Sequence, residues 1–290
     1  MSGTGVGAIT MIIDFHTHVV PPWLKERRNE YLGMDHSFDL LYSDPKAKLA
    51  TTDELIASMD ESGVDVSVIL NIGWHSHDMC VSTNDYILES VARFPKRLFG
   101  FCAVQPGAGE AAIRELERCA AGGARGLGEL RPDTQEIDLS GEEPLRPIAA
   151  VAKEHNLIVL THSSEPVGHL YPGKGKVTPD VLCALVSLFK DVTLVCAHWG
   201  GGLPFYWLMP EVEKALDRVY FDTAASRYLY RPAIYHHVAG IVGAERILMG
   251  SDYPLISQSK QLQEVRSLDL PEDIKDKVAG TNAQRLLFGA

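Results

Sequence analysis

Ile12-Ile13-Asp14-Phe15-His16-Thr17-His18 is the stretch on which the fold is read. It is a short apolar run that closes on two histidines one residue apart. In a strand, alternate residues share a face. The spacing therefore predicts Asp14, His16 and His18 on one side and Phe15 and Thr17 on the other. Neutral imidazoles so placed can grip one first-row cation. Taken alone, the pair reads equally well as two hydrogen-bonded histidines at a strand end. It does not stand alone. Three further apolar runs end in His162, His198 and Asp252, each a metal-type ligand.

Outward from this stretch, eight apolar runs punctuate the chain, near 12–18, 66–72, 98–104, 124–130, 157–163, 192–198, 219–223 and 247–252. Helix-like stretches alternate with them, near 51–63, 82–94, 109–121, 143–156, 179–190, 204–218, 231–243 and 272–288. The first opens on a capping box, Thr51-Thr52-Asp53-Glu54, and closes at Gly63. Strict alternation implies a parallel sheet, and eight units with near-continuous Val, Ile and Leu imply a closed (β/α)8 TIM barrel. An open doubly wound sheet fits less well. No Gly-x-Gly-x-x-Gly follows the first strand, and only a barrel brings ligands from strands so far apart to one mouth. Residues 11–290 are expected to form a single domain behind a loose tail, 1–10. Long segments at 19–51, around Trp74, His75 and His77, and from Ser163 to Pro179 are expected to wall a site.

Apolar residues make up 46% of the 290 and the net charge is −11, with no basic block. That argues against nucleic acid or an anionic membrane as a partner and leaves a small-molecule substrate. A homo-oligomer is compatible with this composition. Five cysteines without CxxC spacing fit free thiols in a reducing, cytoplasmic setting. No apolar run reaches the ~18–20 residues that span a bilayer, and the Gly-rich start has no signal-peptide pattern.

Glu129 is the least expected charge. It ends the fourth strand in Gly126-Leu127-Gly128-Glu129-Leu130-Arg131, with Arg125, Leu127 and Glu129 assigned inward by parity. A carboxylate there is costly to bury without a partner. It is read as a metal ligand, with an ion pair to Arg131 or a neighbour as the plain alternative. Parity also sets Leu194, Cys196 and His198 on one face, and Leu248, Gly250 and Asp252 on another. Asp252 could cap a helix or accept a proton from metal-bound water. Asp14, set deeper, could orient a ligand imidazole or simply bond backbone.

These residues, with His198-Trp199-Gly200-Gly201-Gly202, Gly250-Ser251-Asp252-Tyr253-Pro254 and the ending Asn282-Ala283-Gln284-Arg285-Leu286-Leu287-Phe288, make the chain resemble the amidohydrolase superfamily from about Ile12 to Phe288. The similarity is greatest to the branch that contains aminocarboxymuconate-semialdehyde decarboxylase. The resemblance implies that His16, His18, His162 and Asp252 hold one divalent metal, usually zinc, with His198 acting on substrate or metal-bound water. Two-metal members carry a bridging carboxylate on strand four, with the strand-five and strand-six histidines on the second ion. Glu129, His162 and His198 would then do the same, so one or two zinc ions are expected. On this basis hydrolysis of a small ester, lactone or amide by metal-activated water comes first. Asp252 would be the base, and His198 would stabilise the oxyanion or bind metal. Non-oxidative decarboxylation or hydration of a small unsaturated or aromatic acid comes second, and a binding protein without turnover third. Arg131 and Arg227 are candidates to hold a substrate carboxylate. Trp74, His169, Tyr171 and Trp199 are candidates to line the pocket, though aromatics at a barrel mouth often only pack.

Overall fold

Eight strands lie parallel in the order in which the chain makes them: β1 Ile13–His18, β2 Val66–Leu70, β3 Leu98–Cys102, β4 Gly126–Leu130, β5 Ile158–Thr161, β6 Leu194–Cys196, β7 Val219–Asp222 and β8 Ile247–Leu248. The computed structural model describes residues 11–289 except 138 and 140–143, so the expected tail at 1–10 lies outside the described residues. The ring is drawn shut where β1 meets the segment after β8. There Phe15 N donates to Met249 O, Asp252 N to His16 O and His18 N to Tyr253 O, at 2.7–2.9 Å. This is the (β/α)8 barrel the sequence implied, with helices in every crossover.

Two apolar layers separate inside from outside. Ile13, Phe15, Val66, Val68, Leu70, Phe101, Ile158, Leu160, Val195, Ala197 and Leu248 form the inner cluster. Leu127, Val159, Leu194, Cys196, Val219, Phe221 and Ile247 instead pack with the surrounding helices. Strand alternation therefore holds along the lower barrel, and it fails at the mouth in three places that matter. In β1, Asp14 pairs with Ser67 but Thr17 already pairs with Ile69, so one extra residue intervenes. The slip leaves His18 opposite inward Leu70 while Asp14 faces the helices. The expected common face for Asp14, His16 and His18 is thus wrong, because an inserted residue reverses parity. In β4 the register shifts between Leu127 and Leu130, so Leu127 points outward although Glu129 reaches the mouth. After β6, Leu194 and Cys196 face outward, and His198 is turned to the mouth by a left-handed backbone (φ +53°).

The capping box at Thr51 and Glu54 forms in full, and Gly63 ends that helix at φ +70°. Three helical expectations shift. The 204–218 stretch splits into a 3-10 turn, Leu203–Leu208, and a helix, Pro210–Ala215, because Pro210 has no N–H to continue the first. The 272–288 stretch contains a π turn at Lys277–Thr281. A helix at Gln258–Ser267 went unread, since its inward face is built on buried Gln258 and Gln261 beside Val265 rather than an apolar stripe. The segment 19–51 carries three short helices, Pro22–Glu26, Arg28–Tyr31 and His36–Tyr42.

Candidate metal centre and its cavity

The barrel mouth gathers four histidines and two carboxylates. His16 Nε2 lies 3.0 Å from His18 Nε2 and 3.6 Å from Asp252 Oδ1, and His18 Nε2 lies 3.4 Å from the same oxygen. Glu129 Oε2 is 3.8 Å from His18 Nε2, and its Oε1 is 3.8 Å from His198 Nε2. Ligands bonded to one zinc at about 2.0–2.2 Å stand roughly 3.3–3.6 Å apart around a tetrahedron. Imidazole nitrogens and carboxylate oxygens at these separations fit a divalent cation, and His16, His18 and Asp252 form the tightest such group. A second group, His16, Glu129 and His198, shares one histidine with the first. His162 stands a step back. Its Nδ1 meets Glu129 Oε1 at 2.8 Å and its Nε2 meets Ser164 Oγ at 3.1 Å.

Hydrogen bonds fix the imidazole tautomers. His16 Nδ1 donates to Asp222 Oδ2 at 2.8 Å, which leaves Nε2 facing the cluster. His198 Nδ1 donates to the Ala224 carbonyl at 3.1 Å, which likewise aims Nε2 into the mouth. His162 donates to the Glu129 carboxylate, so its Nε2 accepts from the Ser164 hydroxyl. Asp252 adopts φ +60° and Gly250 sits where a Cβ would come within 2.8 Å of the His16 Cβ, so only glycine lets β8 approach β1 here. Left-handed non-glycine backbone costs about 1–3 kcal/mol and persists where the surroundings over-determine it. Asp252 and His198 both have it.

Charge is strongly structured. Burial would lower the His16 pKa, but the Asp222 carboxylate, with Asp252 and Glu129 behind it, pushes it up to about 10. Burial and then Arg131 hold His162 down at about 4 against the pull of Glu129, so it is neutral at neutral pH. His198 is raised despite burial, through Glu129 and Asp252. Burial would raise both carboxylates, yet the histidines outweigh it. His162 leads at Glu129, and His18, His16 and His198 act at Asp252; both stay well below the usual carboxylate range.

The cluster floors a cavity of about 450 Å³. Walls come from the segment after β1 (Leu41, Tyr42, Lys46, Lys48), the strap after β5 (His169, Tyr171, Gly173) and the segments after β7 and β8 (Tyr228, Leu255). Arg131, His169 and Tyr171 line it. Trp74, Trp199 and Arg227 do not. Trp74 stacks on Phe38 and donates to Asn71. Trp199 packs edge-on to Tyr235 and donates to Ser226. Arg227 turns to Glu264 at 3.2 Å. Those two indoles are core because each has an apolar neighbour and a polar partner for its N–H. Sequence reading missed Asp222 and Tyr42. Asp222 was legible as the acid closing the seventh apolar run; Tyr42 lies in a segment with no strand or long helix to place it.

The chain belongs to the Amidohydrolase family, which it matches over residues 13–289. It is 21% identical to the 2-amino-3-carboxymuconate-6-semialdehyde decarboxylase of Dictyostelium discoideum, across 95% of this chain and 91% of that one. Its fold superposes on 5-carboxyvanillate decarboxylase from Sphingomonas paucimobilis with a TM-score of 0.79 at 19% identity, covering 96% and 99% of the two chains. A dihydroxybenzoic acid decarboxylase from Polaromonas sp., solved with manganese and 2-nitroresorcinol, gives 0.73 at 20%, covering 97% of each. These relatives overturn the order of reactions set out from the sequence. Hydrolysis led there because Glu129 suggested a two-metal centre, whereas the similar proteins are decarboxylases. In the structure, Glu129 is held by His162 at 2.8 Å, so a bridging role is not needed to satisfy it.

Proposed function

We propose that this protein is a metal-dependent decarboxylase of a small aromatic or unsaturated acid. The observation that carries the reading is the His16–His18–Asp252 cage, with edges of 3.0–3.6 Å, on the floor of a cavity in a chain whose relatives remove CO₂ from such acids. A divalent ion, zinc or manganese, held by His16, His18 and Asp252 would supply an electrophilic anchor for acid or phenolic oxygens. Glu129 and His198 border the same space, and His162 braces Glu129.

The chain's own groups suit the remaining steps. Loss of CO₂ breaks a C–C bond and leaves its electron pair on the ring or chain carbon, which must take a proton. His198 is the donor best placed for this. Its Nδ1 is tied to Ala224 O, its Nε2 faces the cavity, and neighbouring carboxylates favour its protonated form. Asp252 stays ionised, which suits it to hold a cation against which a substrate oxygen can lose its proton. Aromatic and apolar walls from Tyr42, Tyr228, Leu41 and Leu255 suit a planar substrate.

Purified protein, analysed for zinc and manganese, should release CO₂ from at least one member of a panel of hydroxybenzoates and carboxylated phenols, and lose that activity on chelation. Turnover of esters or lactones with no CO₂ from any acid would overturn the assignment.

A further inference from the structure

Tyr42 carries a hydroxyl that no other described residue satisfies. It ends the helix His36–Tyr42, is 8% exposed and lines the same cavity as His18, Glu129, His198 and Asp252. Its backbone carbonyl accepts from Arg28, but its hydroxyl has no hydrogen-bond partner among the described residues. The oxygen is not sealed. It keeps accessible surface, unlike Nε and Nη1 of Arg131, which are both unpartnered and buried. A largely buried tyrosine usually finds a partner for its O–H, so a free one on a cavity wall points to a ligand.

The side chain is held in place from three directions. Asp35 caps the helix, accepting from Ser37 N at 2.9 Å and Phe38 N at 3.3 Å, and its other oxygen accepts from Ser76 N at 2.9 Å. Phe38 packs against the Tyr42 ring with centroids 5.0 Å apart and also stacks on Trp74 at 5.3 Å. The Arg28 guanidinium donates to the carbonyls of Tyr42, Asp44 and Ala47, which fixes the path of the chain beyond the helix. A donor already held this way has little rotamer freedom left to lose on binding.

The chemistry of the donor narrows what it meets. Burial, then the Asp252 and Glu129 carboxylates, push the phenol up from its ordinary value of 10, so it is protonated at neutral pH. A phenol in that state donates to an oxygen, and the bond is roughly twice as strong when the oxygen is charged.

We propose that the Tyr42 hydroxyl donates a hydrogen bond to an anionic oxygen of the bound substrate and so selects acids over neutral molecules of the same shape. The inference deepens the decarboxylase reading and rests on it for the identity of the anion. The contact itself is tested by binding alone.

Calorimetry on the zinc-loaded protein compares benzoate with nitrobenzene, its neutral isostere, in wild type and Tyr42→Phe. The substitution removes one oxygen and keeps the ring against Phe38. Benzoate should bind Tyr42→Phe about 10- to 100-fold more weakly, the range of a hydrogen bond to a charged group. Nitrobenzene should change by less than about 3-fold. Zinc content and the urea midpoint should match wild type, which separates a lost contact from a disturbed wall. Equal benzoate affinity in the two proteins would overturn the proposal. So would a parallel loss for both probes, or benzoate that does not bind wild type at all. CO₂ release is scored separately. A protein that decarboxylates acids while Tyr42→Phe leaves binding unchanged keeps the reaction and loses the contact. One that binds benzoate through Tyr42 and releases CO₂ from no acid keeps the contact and loses the reaction.

Discussion

Asp14 and Asp252 are carboxylates from the two segments that close the barrel, and they sit on opposite sides of it. Asp14 faces the helix layer, fully buried, and accepts from Ser251 N at 2.9 Å, Ser251 Oγ at 2.6 Å and Gln258 Nε2 at 2.9 Å. Every donor is neutral, and burial raises its pKa despite them. Asp252, the next residue after Ser251, faces three imidazoles that hold its pKa far down against burial. Satisfied lone pairs make the first a fastener; surplus opposing charge makes the second a candidate site. The contrast separates a buried acid saturated by neutral donors from one that faces surplus opposing charge at the barrel mouth.

The contrast is broken most directly at Asp252. Asp252→Asn keeps a carbonyl oxygen for a cation and loses the negative charge. CO₂ release should fall by roughly 10²–10⁴-fold while part of the metal remains. Near-normal turnover would remove Asp252 from the reaction. A smaller effect is expected one residue further out, at Asp222. Asp222→Asn no longer holds His16 as a strong Nδ1 donor, and metal affinity should weaken by about 10- to 100-fold, read by competition with a chelating dye. Unchanged affinity would make the 2.8 Å contact a packing detail.

How much of this was legible follows from the same residues. Hydrophobic runs and their spacing carry the barrel, because eight buried strands need eight apolar segments whatever lies between them. Residue type marked His16, His18, Glu129, His162, His198 and Asp252, all of which meet at the mouth. Their aim was not legible from alternation. An extra residue in β1, a register shift in β4 and left-handed turns at His198 and Asp252 each redirect a side chain that parity assigned otherwise or left open. Alternation describes regular strands, and functional mouths are where strands stop being regular. The pocket aromatics were the least legible. Trp74 and Trp199 have the same composition cues as Tyr171 and differ only in tertiary neighbours.

Asp14→Asn tests the other half of the contrast. The amide replaces one acceptor by a donor that faces Ser251 and Gln258, themselves donors. A buried mismatch of this kind costs about 1–3 kcal/mol of stability. Urea unfolding should show that loss, with metal content intact and CO₂ release within about tenfold of wild type, an allowance for altered aim of Asp252 through Ser251. Loss of metal with unchanged stability would place Asp14 on the chemical side.

Glu115 is an intermediate case and gives the smallest effect. It is buried on the helix Glu110–Ala121, where it accepts from neutral Asn84 Nδ2 at 2.8 Å and pairs with Arg118 at 2.8 Å. Burial would raise its pKa, but the Arg118 and Asn84 bonds outweigh it and lower the value from 4.5. A carboxyl lowered in the folded state binds fewer protons there than in the unfolded chain below pH 4.5. Its contribution is therefore present above that pH and is lost as pH falls through the folded value. Arg118 is 44% exposed, so solvent screens the pair and the effect is modest. The urea midpoints of wild type and Glu115→Gln should differ at pH 6 and converge as pH drops below 4.5. A gap that stays constant across that range would mean that the carboxylate's charge contributes nothing and that Asn84 alone holds the side chain, as Ser251 and Gln258 hold Asp14.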